Sequence, residues 1–140
     1  REIHRVLKPN GTLIDLRPNL GGRVVEVVLA SATLHAGDVD WSRYEPDKRA
    51  SNLAIEQVVA DGLYKLEYYE EFNYVTDLDT VDDLREYGES LNLDVLSDAV
   101  VEQVDQLTTD EIEDFSIRVR RPMIIGRYRR VSSTNFINVL

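Results

Sequence analysis

The chain has no cysteine in its 140 residues. Disulfide bridges and thiolate chemistry are thereby excluded, and nothing in the sequence calls for an oxidising compartment. No run of about eighteen apolar residues occurs, so no stretch reads as a membrane-spanning helix, and the first residues lack the long apolar core of a secretory leader. Internal repeats and low-complexity segments are also missing. These absences point to one cytoplasmic domain, over residues 1–140, with no membrane partner.

Positive charge is nearly missing from the middle of the chain. Residues 56–114 hold 19 Asp or Glu against Lys65 and Arg85, whereas residues 115–140 hold six Arg and no acid, within a formal charge of −10. Taken alone, the basic tail is similar to a nucleic-acid patch. A duplex approaching it would have to pass a strongly repelling acidic surface, so no nucleic acid is expected as a partner. The arginines are expected to pair with an acidic strand instead.

That strand is predicted from Tyr64 to Val75. Its even positions (Tyr64, Leu66, Tyr68, Glu70, Phe72, Tyr74) are mostly apolar and its odd positions (Lys65, Glu67, Tyr69, Glu71, Asn73) mostly polar, a period of two. Ile117 to Val131 is the matching basic strand, and antiparallel pairing would set Glu67 and Glu71 beside arginines. Pro122 cannot donate to a ladder, which predicts an edge position or a bulge there.

Arg23 to Ala30 is β-branched and reads as extended, after a turn-rich loop at Asn19-Leu20-Gly21-Gly22. No Lys-Ser/Thr follows Gly21-Gly22, and the pair precedes a strand, so it is not read as a phosphate loop. His35, Asp38 and Asp40 have no further histidine nearby and read as a solvated loop; no metal site is assigned. Pro46 fits the first turn of a helix whose buried stripe is predicted as Ala50, Leu53, Ala54, Val58 and Leu63, ending at Gly62. Thr80 with Asp83 predicts a capping box for a helix burying Val81, Leu84 and Leu91. Leu96, Val100, Val104 and Leu107 predict another, ending near Thr108-Thr109.

The opening residues, REIHRVLKPNGTLIDLR, carry the most specific pattern. Ile3, Val6 and Leu7 fall on one helical face. Pro9 stops that helix, and Asn10-Gly11 tolerates the positive φ of a reversal. Thr12 to Leu16 then reads as a strand covered on both faces, as in a parallel sheet. This segment resembles the helix, turn and fifth sheet strand of class I S-adenosylmethionine-dependent methyltransferases, where "RVLKPGG" leads into an apolar strand; Asn10 stands for the first glycine. In that family the fifth strand is likewise followed by a helix, a sixth strand and a seventh inserted antiparallel. The resemblance implies an α/β (or α+β) fold: the C-terminal strands of a Rossmann-like methyltransferase sheet, with an antiparallel strand pair, flanking helices and a helical insertion at 76–114.

The resemblance also implies that the chain starts in the middle of an enzyme. The family's glycine-rich loop, the acid ending its second strand and the residues near its fourth have no counterpart here. No cofactor-binding residue is assigned; S-adenosylmethionine would belong to the full-length parent. Asp15, Arg17 and Asn19 lie at the carboxyl end of the first strand, where ligands sit in open α/β sheets, and are the candidate substrate-binding residues. A mutual or cross-strand ion pair of Asp15 and Arg17 is the alternative, and no catalytic residue is assigned.

Two functions follow as expectations. One is the C-terminal, substrate-side portion of a methyltransferase acting on a small molecule, inactive alone. The other is a self-contained dimeric α+β interaction or ligand-binding module. A homodimer is expected of the enzyme portion because an apolar strand stripped of its parallel neighbours favours pairing with another copy, and the module too is read as a dimer.

Overall fold

The computed structural model describes residues 2–92, 94–109 and 114–132. A short helix α1 (Glu2–Val6) turns into β1 (Thr12–Pro18) and is followed by a hairpin of β2 (Val24–Leu29) and β3 (Thr33–Asp38). Then come α2 (Glu45–Ala60), β4 (Tyr64–Leu78), α3 (Val81–Glu89), α4 (Asp98–Leu107) and β5 (Phe115–Arg130). Among the described residues the architecture is α+β: five strands form one sheet in which every paired neighbour is antiparallel, with helices flanking it. No helix among these residues is long and apolar enough to cross a membrane.

β5 organises the sheet. One of its edges pairs with β4, from Tyr64 opposite Arg130 to Leu78 opposite Ile117. Its other edge is divided, with β2 along Phe115 to Arg120 and β1 along Met123 to Arg129. Arg121 and Pro122 fall in the gap between those two partners, where the Asn19 N–H donates to the Pro122 carbonyl at 2.9 Å. The sequence predicts an edge or a bulge at Pro122, yet β5 is paired on both sides. A strand residue aims its N–H and C=O towards the same neighbour, so the missing donor falls where β5 changes partner and costs no ladder bond.

β1 differs from the buried parallel strand expected of it. It is an edge strand, antiparallel to β5; Leu13, Asp15 and Arg17 are half-buried, while Ile14 and Leu16 are 56% and 58% exposed. A short apolar run reads alike in either setting, because burial follows from which element covers each face. The turn before it is as predicted: Asn10 has φ 59°, and a Cβ on Gly11 would lie 2.7 Å from the Lys8 carbonyl oxygen.

The core lies over the other end of the sheet. Val25 and Val27 of β2 and their cross-strand partners Val119 and Ile117 are buried against Leu84 of α3 and Val100, Val101 and Val104 of α4. Thr80 and Asp83 cap α3 reciprocally as predicted, and the Ser97 hydroxyl caps α4. The sequence predicts a solvated loop at His35 and Asp38, yet both lie in strand β3, whose polar residues hide it from hydropathy. A Cβ on its Gly37 would meet Val100 Cγ2 at 2.6 Å, so the glycine sets how closely α4 approaches.

α2 begins with Pro46 in its first turn, as predicted, but its inward stripe is different. Lys48, Asn52, Ile55, Val58 and Val59 face inward, while Ala50, Leu53 and Ala54 are exposed. Two polar residues on the inner face shift the stripe in a way that hydropathy alone reads wrongly.

Candidate functional site

The three residues singled out from the sequence are brought together at the end of β1. Arg17 and Asp15, two apart on one face of the strand, form an ion pair, and Arg17 Nε also donates to Asn52 Oδ1 of α2 at 3.1 Å. The Asn19 side-chain oxygen accepts from the Leu20 N–H at 2.8 Å. Arg17 and Asn19 line a groove of about 570 Å³ between α2 and the sheet, floored by Ile124, Tyr128 and Tyr69; Asp15 is not part of its wall. The ion-pair alternative for Asp15 and Arg17 is therefore what the structure adopts, with Asn52 taking the Arg17 Nε–H. Tyr69 donates to Glu71 at 2.5 Å, and that carboxylate holds the phenol above its ordinary pKa.

A second cleft, of about 430 Å³, opens where β5 changes partner. Three cations converge on it from three elements that are distant in sequence: Arg23 just before β2, Lys48 of α2 and Arg121 of β5. Arg23 is paired with Asp94. Lys48 is 7% exposed; its Nζ donates to the Gly21 carbonyl at 2.9 Å and lies 4.8 Å from the centre of the Trp41 ring. A Cβ on Gly22 would meet the Val39 carbonyl oxygen at 2.4 Å, so this glycine lets the loop pack tightly against the chain after β3. Burial lowers the Lys48 pKa, and the charges of Arg121 and Arg23 lower it further. Arg23 is likewise lowered by burial, with the Tyr87 hydroxyl opposing and Arg121 adding to the shift. Tyr44, Tyr74 and Tyr87 supply aromatic walls.

Sequence reasoning did not find this cleft. Lys48 sits one turn before Asn52 on the inner stripe of α2, and Arg121 adjoins Pro122, but only the divided edge of β5 brings them to Arg23.

Most other arginines of β5 are neutralised. Arg118 bonds Asp77 at 2.8 Å, Arg120 bonds Glu26 of β2, and Arg127 and Arg129 share Glu67. Pairing with the acidic strand is thus as expected for Glu67, the extra residue of a bulge between Leu66 and Tyr68, whereas Glu71 lies opposite Ile124, in the arginine-free run Pro122 to Gly126 of β5. His35 Nε2 and Asp38 are 3.2 Å apart on β3, while Asp40 turns away to accept from the Ser42 N–H. In comparison with known proteins the chain matches no family model, no curated sequence and no solved structure.

Proposed function

We propose that this chain is the C-terminal, substrate-side portion of a class I S-adenosylmethionine-dependent methyltransferase, without methyl-transfer activity by itself. Strand order carries the reading. β5 lies antiparallel between β1 and β4, so β1 and β4 run parallel to each other, and the chain passes from one to the other through α2. That order agrees with the family's fifth strand, helix, sixth strand and antiparallel inserted seventh, with β2–β3 and the pair α3–α4 as additions. The outer edge of β1 and the side chains of Ile14 and Leu16 have no described partner, as a Rossmann-like sheet continuing past β1 would leave them. S-adenosylmethionine belongs in this proposal to the missing half; Arg17 and Asn19 border the small-molecule acceptor at the carboxyl end of β1. A cytoplasmic setting completes the proposal, and the 140 residues by themselves would form a homodimer through the β1 edge that the parent's sheet would otherwise cover.

The nucleotide sequence upstream of the Arg1 codon tests it. A strand, glycine-rich loop and helix encoded there in frame is the expected result, and a start codon at that point contradicts it. The second reading, a self-contained ligand-binding module, draws its support from the core, which closes around β2, β3, β5, α3 and α4 without any residue of β1.

A further inference from the structure

The cleft at the divided edge of β5 holds more positive charge than the protein uses. Three cations line it, and among the described residues Asp94, paired to Arg23, is the one acid in its wall. Among the described residues Arg121 has no acidic partner, and neither does Lys48. An ammonium carries three donors; the Gly21 carbonyl takes one, and the Trp41 face offers only a cation–π contact. The buried Nε of Arg23 has no hydrogen-bond partner. A buried ammonium with no carboxylate, beside two guanidinium groups, is costly unless something else supplies negative charge.

We propose that this cleft binds a small phosphate monoester through Arg23, Lys48 and Arg121, with the organic body of the ligand against the tyrosine walls. Three cations less one carboxylate leave a surplus of two charges, which matches a phosphate dianion near neutral pH. Arginine forks bind phosphate oxygens bidentately, and lysine adds a point charge. A volume of about 430 Å³ far exceeds one phosphate group, and Tyr44 and Tyr74 offer rings for a planar body. The net charge of −10 does not forbid this, since distant surface charges are screened over about 10 Å while the three cations act at contact. Bound anion would also offset the burial, and the lesser repulsion from neighbouring arginines, that lower Lys48 and Arg23. The inference does not rest on the methyltransferase reading and holds equally for the self-contained module.

Trp41, the sole tryptophan of the chain, stacks on Lys48 and reports on the cleft. The test is a titration of the whole chain with inorganic phosphate, phenyl phosphate and phenol, followed by Trp41 fluorescence and by calorimetry. Phenyl phosphate is expected to bind one-to-one and more tightly than phosphate, with phenol not binding. Arg121→Gln removes a half-buried, unpaired side chain with little effect on folding, checked by circular dichroism, and is expected to weaken phenyl phosphate about tenfold. Arg118→Gln, on the same strand but three residues away and so on its opposite face, outside the cleft wall, is expected to leave binding unchanged. Absence of saturable binding at millimolar concentration, phenol binding as well as phenyl phosphate, or equal affinities of the parent and Arg121→Gln would each overturn the proposal.

Discussion

Arg120 of β5 donates from Nε to Glu26 of β2 at 2.9 Å, across the strand pair opposite to the acidic strand, on which it faces Val75. The Glu26 carboxyl is held below the ordinary carboxylate range chiefly by that hydrogen bond. Replacing Glu26 by Gln leaves a half-buried guanidinium with a weaker partner and is expected to destabilise by about 1–2 kcal/mol, read as a lower urea midpoint. Arg118→Glu is expected to cost less, since its Asp77 pair is exposed, and to lose its effect at high salt. Equal midpoints for Glu26→Gln and the parent at low ionic strength would refute the pairing.

Acid should act through the same arginines. Glu26, Glu67 and Asp77 are each lowered, first by hydrogen bonds from Arg120, Arg129 and Arg118 respectively. Because their folded pKa values lie below the unfolded ones, the unfolded chain takes up protons first as pH falls. Their stabilisation is therefore complete above about pH 5 and is lost progressively below about pH 4. Urea midpoints measured through that range should fall, and Glu26→Gln should fall less steeply than the parent.

Gly37→Ala tests the approach of α4 to β3. The added methyl would meet Val100 Cγ2, and overpacking of this kind costs about 1–3 kcal/mol. Val100→Ala in the same chain should recover part of the loss, making the double variant more stable than the sum of the two changes predicts.

The exposed side of β1 should mediate self-association. Light scattering after size exclusion is expected to give about twice the 16.0 kDa chain mass, and Ile14→Lys with Leu16→Lys should return it to the monomer value. A parent protein that elutes as a monomer at all concentrations removes the dimer from the account.

The parts of the fold visible in the sequence were those written in local chemistry. The Asn10-Gly11 reversal, the Thr80 capping box and the two long charged strands depend on neighbours in sequence or on a period of two, and each is where it was expected. What could not be read depended on partners far along the chain. β1 is apolar in the same way whether a parallel strand or β5 lies beside it. Pro122 looks like a strand edge until two strands are seen to share one side of β5. Lys48 and Asn52 look like solvent-facing residues until α2 is turned to the sheet, where Asn52 meets Arg17 and Lys48 meets Gly21 and Trp41. Of the candidate residues, Asp15 and Arg17 pair with each other and Asn19 bonds the Leu20 N–H, while the cationic cleft lies one loop further on.

The most direct measurement of the central proposal is a paired calorimetric titration with S-adenosylmethionine, on this 140-residue chain and on the same chain extended by the coding sequence upstream of Arg1. The account predicts no tight binding by the 140 residues and a dissociation constant on the order of micromolar for the extended protein. Tight binding by the 140-residue chain alone, or none by the extended protein, would contradict it.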